Sequence, residues 1–167
     1  WSSDVCSSDL PDVTGVTDFT QATNYTVEVW CWINSTQNDT GATDNEIVEK
    51  WNSGNESAYP YVIRWVRGSS NIHMAVYNGS SNPSTTFSAP TNTWIQVVGV
   101  FNHSGATLSG YRNGAFQSST GLSITGTISN SSTVNLGRRA NNSGGGNNYF
   151  TGRIGIVRIY NRALSAA

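Results

Sequence analysis

Apolar and polar positions alternate with a period of two along most of this chain, the spacing at which successive side chains of an extended strand face opposite ways. Between Thr93 and Gly114 the alternation is clearest. Trp94, Gln96, Val98 and Val100 share one side, and Ile95, Val97, Gly99 and Phe101 the other. Both sides are largely apolar, which predicts a strand covered on both faces. Residues 102–105 turn the chain, because Asn, Ser and Gly tolerate tight corners. Residues 108–112 return, and Asn113-Gly114 predicts a type I′ hairpin corner, which needs positive φ at both positions. A third strand follows at 115–118, completing an antiparallel meander.

The same period predicts strands on either side of this unit. In YTVEVWCWI, Tyr25, Val27, Val29, Cys31 and Ile33 form a core face, while Thr26, Glu28, Trp30 and Trp32 form an amphipathic one. Strands are also predicted over 46–51, 59–67, 71–78, 85–88, 134–137 and 149–160. The intervening stretches are polar and rich in Gly, Asn, Ser and Thr, and 141–148 (NNSGGGNN) has no means of building a core. About ten short strands with no helix longer than a turn or two predict an all-β fold, a two-sheet antiparallel sandwich.

Composition narrows the classes of function. At 167 residues the chain has the size of one domain. Its aromatic fraction, 11%, is too high for a disordered segment. No apolar run reaches the roughly 18 residues of a membrane-spanning helix. Every acid lies at or before Glu56 and every arginine at or after Arg64, yet the net charge is only −1. Nucleic-acid binding gains no support from so small a charge with no basic cluster beyond Arg138-Arg139.

The first ten residues, WSSDVCSSDL, resemble the translation of a sequencing adapter and are set apart from the fold, as an expression scar would be. The natural domain is then expected over 11–167. Without Asp4 and Asp9, nine basic residues face eight acids and the net charge becomes +1. Without Cys6 only Cys31 remains, so no intrachain disulfide is expected and the cysteines say nothing of redox compartment. On the apolar face of its strand, Cys31 is expected to act as a small hydrophobe.

The ordered segments YTVEVWCWI, EIVEKW, IHMAVYNG, NTWIQVVGVF, GYRNG, VNLGRR and FTGRIGIVRIYNRALS resemble the laminin-G-like jelly-roll domain of the concanavalin A-like lectin and glucanase superfamily. The likeness runs from about Tyr25 to Ser165. Its most specific parts are Asn92-Thr93-Trp94, the Tyr111-Arg112-Asn113-Gly114 corner and the closing run from Tyr160 to Ser165. Gln96 stands where the family often has His, and Gly155-Ile156 where its closing strand usually carries an acid. An opening strand with an Asp-Gly segment is largely missing, so the resemblance implies a domain cut at both ends and belonging to a longer chain. It implies a jelly-roll sandwich and an extracellular, cell-surface or virion setting.

Glycosidases of this superfamily place paired carboxylates on one face of a strand, where acid and nucleophile flank a single bond. Glu46 and Glu49 are three apart, a spacing that sends them to opposite faces of a regular strand. Glu28 stands alone, and no acid follows Glu56, so catalysis is not expected. His73 on a strand and His103 in a turn suit surface positions better than ligand or base roles. No nucleophile elbow, phosphate loop or Cys/His metal spacing occurs.

A binding role remains. Glu28, Trp30 and Trp32, joined by His73 and Tyr77 from another strand, form a candidate glycan-binding surface, because sugar C–H faces stack on indoles while carboxylates accept from hydroxyls. The competing reading covers Trp30 and Trp32 with residues 34–45 as a second small core. The resemblance further implies Ca²⁺ in the rim loops, for which Asp39, Asp44, Asn141 and Asn142 are eligible by ligand type. Two roles from different classes follow: a non-catalytic module recognising carbohydrate within a larger protein, or a structural attachment domain of a fibre or adhesin making protein contacts.

Overall fold

The computed structural model describes residue 19 and residues 23–37, 44–52, 57–140 and 148–165. Among the described residues, ten strands run in chain order: β1 Tyr25–Ile33, β2 Asp44–Glu49, β3 Tyr59–Val66, β4 Asn71–Tyr77, β5 Ser84–Ser88, β6 Trp94–Asn102, β7 Thr107–Arg112, β8 Ala115–Gly121, β9 Asn135–Leu136 and β10 Gly152–Tyr160. They pair into two five-stranded sheets. The first has the order β10-β1-β6-β7-β8 and the second β5-β4-β3-β2-β9, with every pairing antiparallel. This is the jelly-roll sandwich expected from the strand pattern. The ten residues set apart at the start lie outside the described residues.

The inner faces hold the core. Tyr25, Val27, Val29, Cys31 and Ile33 of β1 and Ile95, Val97 and Phe101 of β6 meet Ile47, Tyr61, Ile63, Trp65, Ile72, Met74, Val76 and Phe87 from the second sheet. Cys31 is fully buried among them, and burial pushes its thiol up to about 12, so it behaves as a hydrophobe. Each fully buried Val or Ile contributes roughly 1.5–3 kcal/mol. Tyr25 also spans the sandwich, its hydroxyl donating to the Pro60 carbonyl at 2.5 Å.

Two glycines set the depth of the core where the sheets approach. Gly99 and Gly110 are cross-strand partners on β6 and β7. A Cβ on Gly110 would stand 2.6 Å from Phe87 Cε1, and one on Gly99 3.1 Å from Met74 Sδ. The missing side chains are the space that Phe87 and Met74 occupy. The Asn113-Gly114 corner forms as expected, with φ of 50° and 78°.

The central strand departs from the expectation that both its faces are covered. Its inward side is buried, but on its outward side Trp94 is exposed, Gln96 and Val98 are half-buried and only Val100 is buried. Apolar residues at the Trp94 end form an open surface, while Val100 at the other end is covered.

The closing run from Tyr160 to Ser165 is clamped to β1. Thr26 Oγ1 donates to the Arg162 carbonyl at 2.9 Å and accepts from the Leu164 N–H at 3.0 Å.

Candidate ligand-binding site

A bulge in β2 creates the most chemically loaded part of the molecule. Glu46 pairs with Arg64 while Val48 pairs with Ile63, so Ile47 is an extra residue in the ladder. Ile47 and Val48 both turn inward to the core. Glu46 and Glu49 therefore emerge on the same outer face of the second sheet, which corrects the expectation that their spacing separates them. Two consecutive apolar residues between two acids are the local trace of this in the sequence, though a regular two-residue period does not read it.

Both carboxylates are completely buried, and they share one partner from outside the sheet. Arg139, in the segment after β9, pairs with Glu46 and brings its Nε to 3.6 Å from Glu49 Oε2. From β3, Arg64 Nη1 stands 3.1 Å from Asp44 Oδ2 and 3.9 Å from Glu46 Oε1. Arg64 Nε donates to His73 Nδ1 at 3.0 Å, which leaves the proton of a neutral imidazole on Nε2.

The surroundings shift these groups in opposite directions. Burial raises Glu46, against the pull of Arg139 and Arg64. Burial, then the neighbouring Glu46 charge, pushes Glu49 up to about 9. Burial, with Arg64 beside it, takes His73 down to about 4. At neutral pH Glu49 therefore holds its proton and His73 is uncharged.

In front of this network lies an open cleft of about 250 Å³, lined by Trp51, Tyr59, Arg64, Tyr77, Asn82 and Arg139. Its rings are contiguous: Trp51 and Tyr59 have centroids 5.0 Å apart, and Tyr59 and Tyr77 5.6 Å apart. Arg139 lies over the Trp51 ring at 4.7 Å. The Tyr59 hydroxyl and Asn82 Oδ1 are 3.2 Å apart, and the Tyr77 hydroxyl donates to the Gly79 carbonyl at 2.8 Å. Rings and donors are held in place before any ligand arrives, an arrangement that lowers the ordering cost of binding.

The residues singled out from sequence divide between two sides of the sandwich. His73 and Tyr77 are on β4, on the outer face of the second sheet, with Tyr77 lining the cleft and His73 behind Arg64. Glu28, Trp30 and Trp32 are on β1, on the outer face of the first sheet. The structure does not bring the two groups together, since strand periodicity fixes which way a side chain points but not which sheet its strand joins.

Glu28 is occupied as well as buried. Oε1 accepts from Gln96 Nε2 at 2.9 Å and Arg158 Nη1 at 3.1 Å, and Oε2 from the Tyr160 hydroxyl at 2.9 Å. Burial would raise this carboxyl, but the hydrogen bonds from Gln96 and Tyr160 and the charge of Arg158 hold it below its usual value. It ties β1 to both neighbouring strands. Trp30 is 36% exposed, while Trp32 is half-buried with Arg153 over its ring at 5.3 Å, and half of the segment 34–45 expected to cover them lies outside the described residues. Trp94 is cross-strand to Trp32 and lies against Gly155, where an added Cβ would sit 3.3 Å from the indole.

Of the four eligible calcium ligands, Asp39, Asn141 and Asn142 lie outside the described residues. Asp44 is paired with Arg64, and among the described residues no group of three His, Cys, Asp or Glu side chains could hold a metal ion. Sequence reasoning missed Trp51, Tyr59, Asn82, Arg64 and Arg139. They come from four separated segments, and no local motif joins them.

A family model, described as the concanavalin A-like lectin/glucanases superfamily, matches residues 7–167. No curated protein matches the sequence. Among solved structures, a Bacteroides ovatus protein named for an expected carbohydrate-binding role is similar at 19% identity and a TM-score of 0.66, over 93% of this chain and 41% of that one. The binding domain of botulinum neurotoxin serotype D is similar at 16% and 0.64, over 94% and 36%. The CBM40 module of a Ruminococcus gnavus sialidase, bound to α2,3 sialyllactose, is similar at 14% and 0.63, over 86% and 78%. At these identities the likeness is one of fold, and the chain spans about two fifths or less of the first two structures.

Proposed function

Because the chain belongs to the concanavalin A-like lectin/glucanase superfamily, we propose that it is a non-catalytic carbohydrate-recognition module, working at a cell surface or outside the cell as part of a larger protein. The observation that carries this reading is the cleft on the second sheet. Three contiguous rings offer flat apolar surface to a sugar ring, and Asn82, Arg64 and Arg139 stand beside them as fixed polar groups. Structural neighbours that include a sialidase CBM40 and a toxin binding domain support binding over catalysis.

The buried acids favour the same reading. A glycosidase presents its two carboxyl groups to the scissile bond. Here Glu46 and Glu49 are both 0% exposed, and neither lines the cleft. Their role in this reading is to fix Arg139.

Trp51→Ala tests the site. Removing one stacking platform should weaken glycan binding about five- to tenfold, equivalent to roughly 1 kcal/mol. Calorimetric titration of the folded variant against glycans that bind the wild type checks this, and unchanged affinity would remove the cleft from the proposal.

A second reading rests on a separate observation. The outer face of the first sheet exposes Trp30, Trp94, Phe116 and Ile156 at 36%, 44%, 57% and 47%. Apolar side chains so exposed on one sheet suit a protein contact, the attachment role.

A further inference from the structure

We propose that the sugar taken by the cleft is an anionic one, carrying a carboxylate that docks on Arg64 and Arg139. This inference rests on the carbohydrate-binding reading and names the ligand class.

The argument begins with which charges reach the cleft. Among the described residues, its lining includes two guanidinium groups and no acid. The balancing charges stand behind: Glu46 and Glu49 are 0% exposed, and the Asp44 side chain is 24% exposed. The guanidinium groups line the opening, while the buried acids stand behind them. A ligand approaching from solvent meets aromatic rings and cations.

Orientation adds to charge. Arg64 has Nε committed to His73 and Nη1 to Asp44, which leaves Nη2 with its two N–H donors. Arg139 is held by Glu46 and stands over the Trp51 ring, its Cζ 4.7 Å from the centroid. Planar guanidinium groups fixed in this way match the planar fork of a carboxylate, and charge-assisted bonds of this kind are about twice as strong as neutral ones. An ion-pair network whose sole task was to brace β2 gains little over apolar packing. This one ends in two oriented cations beside a ring-lined opening.

A carboxylate is also what the rest of the cleft tolerates. Tyr59, whose hydroxyl is pushed up to about 12 by burial, stays protonated and neutral. Asn82 is neutral, and His73, uncharged near pH 7, holds Arg64 by accepting from its Nε.

The test uses matched pairs titrated calorimetrically into the intact chain: trigalacturonic acid against its methyl ester, and sialyllactose against lactose, with a sulfated lactose as a third arm. The acids should bind at least about tenfold more tightly than their neutral partners. That advantage should shrink between about 50 and about 500 mM NaCl, as charge recognition is screened. Arg64→Gln, checked for folding by circular dichroism, should abolish the advantage while keeping weak neutral binding. If the variant does not fold, the acid-against-ester comparison on the wild type decides alone. Equal affinity for acid and ester overturns the inference and leaves the carbohydrate reading standing. An acid preference that survives in folded Arg64→Gln, or a preference for the sulfated over the carboxylated partner, also overturns it. No saturable binding to any of these probes, with none to a broader neutral glycan panel, removes both.

Discussion

Glu49 shows how much one protonation state depends on its surroundings. Its folded value, raised from an ordinary 4.5 to about 9, means the native protein binds a proton that the unfolded chain releases between those limits. Stability from this group is present below about pH 4.5 and is lost as pH rises toward about 9, with a slope of up to roughly 1.4 kcal/mol per pH unit. Glu46, also raised, acts in the same direction. His73 opposes them: lowered from 6.5 to about 4, it makes the folded state gain stability as pH rises through that window. The opposing slopes offset each other up to about pH 6.5, and the decline stands out between about 6.5 and 9. Glu49→Gln, which imitates the protonated acid, should flatten that alkaline decline and raise the urea midpoint at pH 8.5. A wild-type midpoint that stays constant from pH 6.5 to 9 would contradict the assignment.

Among elements, the β6–β7 pair depends most on what is absent. A methyl group on Gly110 meets Phe87 at 2.6 Å, well inside contact distance, with Met74 Sδ at 3.5 Å behind it. Gly110→Ala should cost about 1–3 kcal/mol by overpacking. Phe87→Leu in the same chain should return part of that loss, and chemical denaturation of the single and double variants measures both. The strands themselves were legible because period-two alternation is a property of each segment alone: β1 follows its expected limits, and β3, β4, β6, β7 and β10 fall within a few residues of theirs. The bulge at Ile47 was not, since a regular two-residue period assigns Glu46 and Glu49 to opposite faces and only the inward turn of both Ile47 and Val48 reverses that. Nor was the cleft. Trp51, Tyr59, Asn82 and Arg139 become neighbours only through the lateral pairing of β4, β3, β2 and β9, and chain separation hides such a grouping from any local pattern.

At the scale of the molecule, the two outer faces differ in character. The second sheet carries a charged network and a cleft, while the first carries exposed Trp30, Trp94 and Ile156 beside the saturated Glu28 cluster. If the first face is a protein-contact surface, Trp30→Ser with Trp94→Ser should leave glycan affinity unchanged while abolishing self-association or partner binding seen by analytical ultracentrifugation. A loss of glycan affinity in the folded double variant would instead assign the sugar to the first sheet.

The pairing of β1 with β10 has a consequence for biosynthesis. Thr26 opposes Tyr160 and Ile33 opposes Gly152, so one side of β1 finds its partner only in β10, the last of the described strands. While the ribosome is still translating the middle of the domain, that edge of β1 has open backbone groups and the inward-facing Val27, Val29 and Cys31 lack part of their cover. A contact so distant in sequence is costly to close and slow to form. The domain therefore completes its folding after Tyr160 has left the exit tunnel, and until then β1 is an exposed edge that must be kept from pairing with another nascent chain.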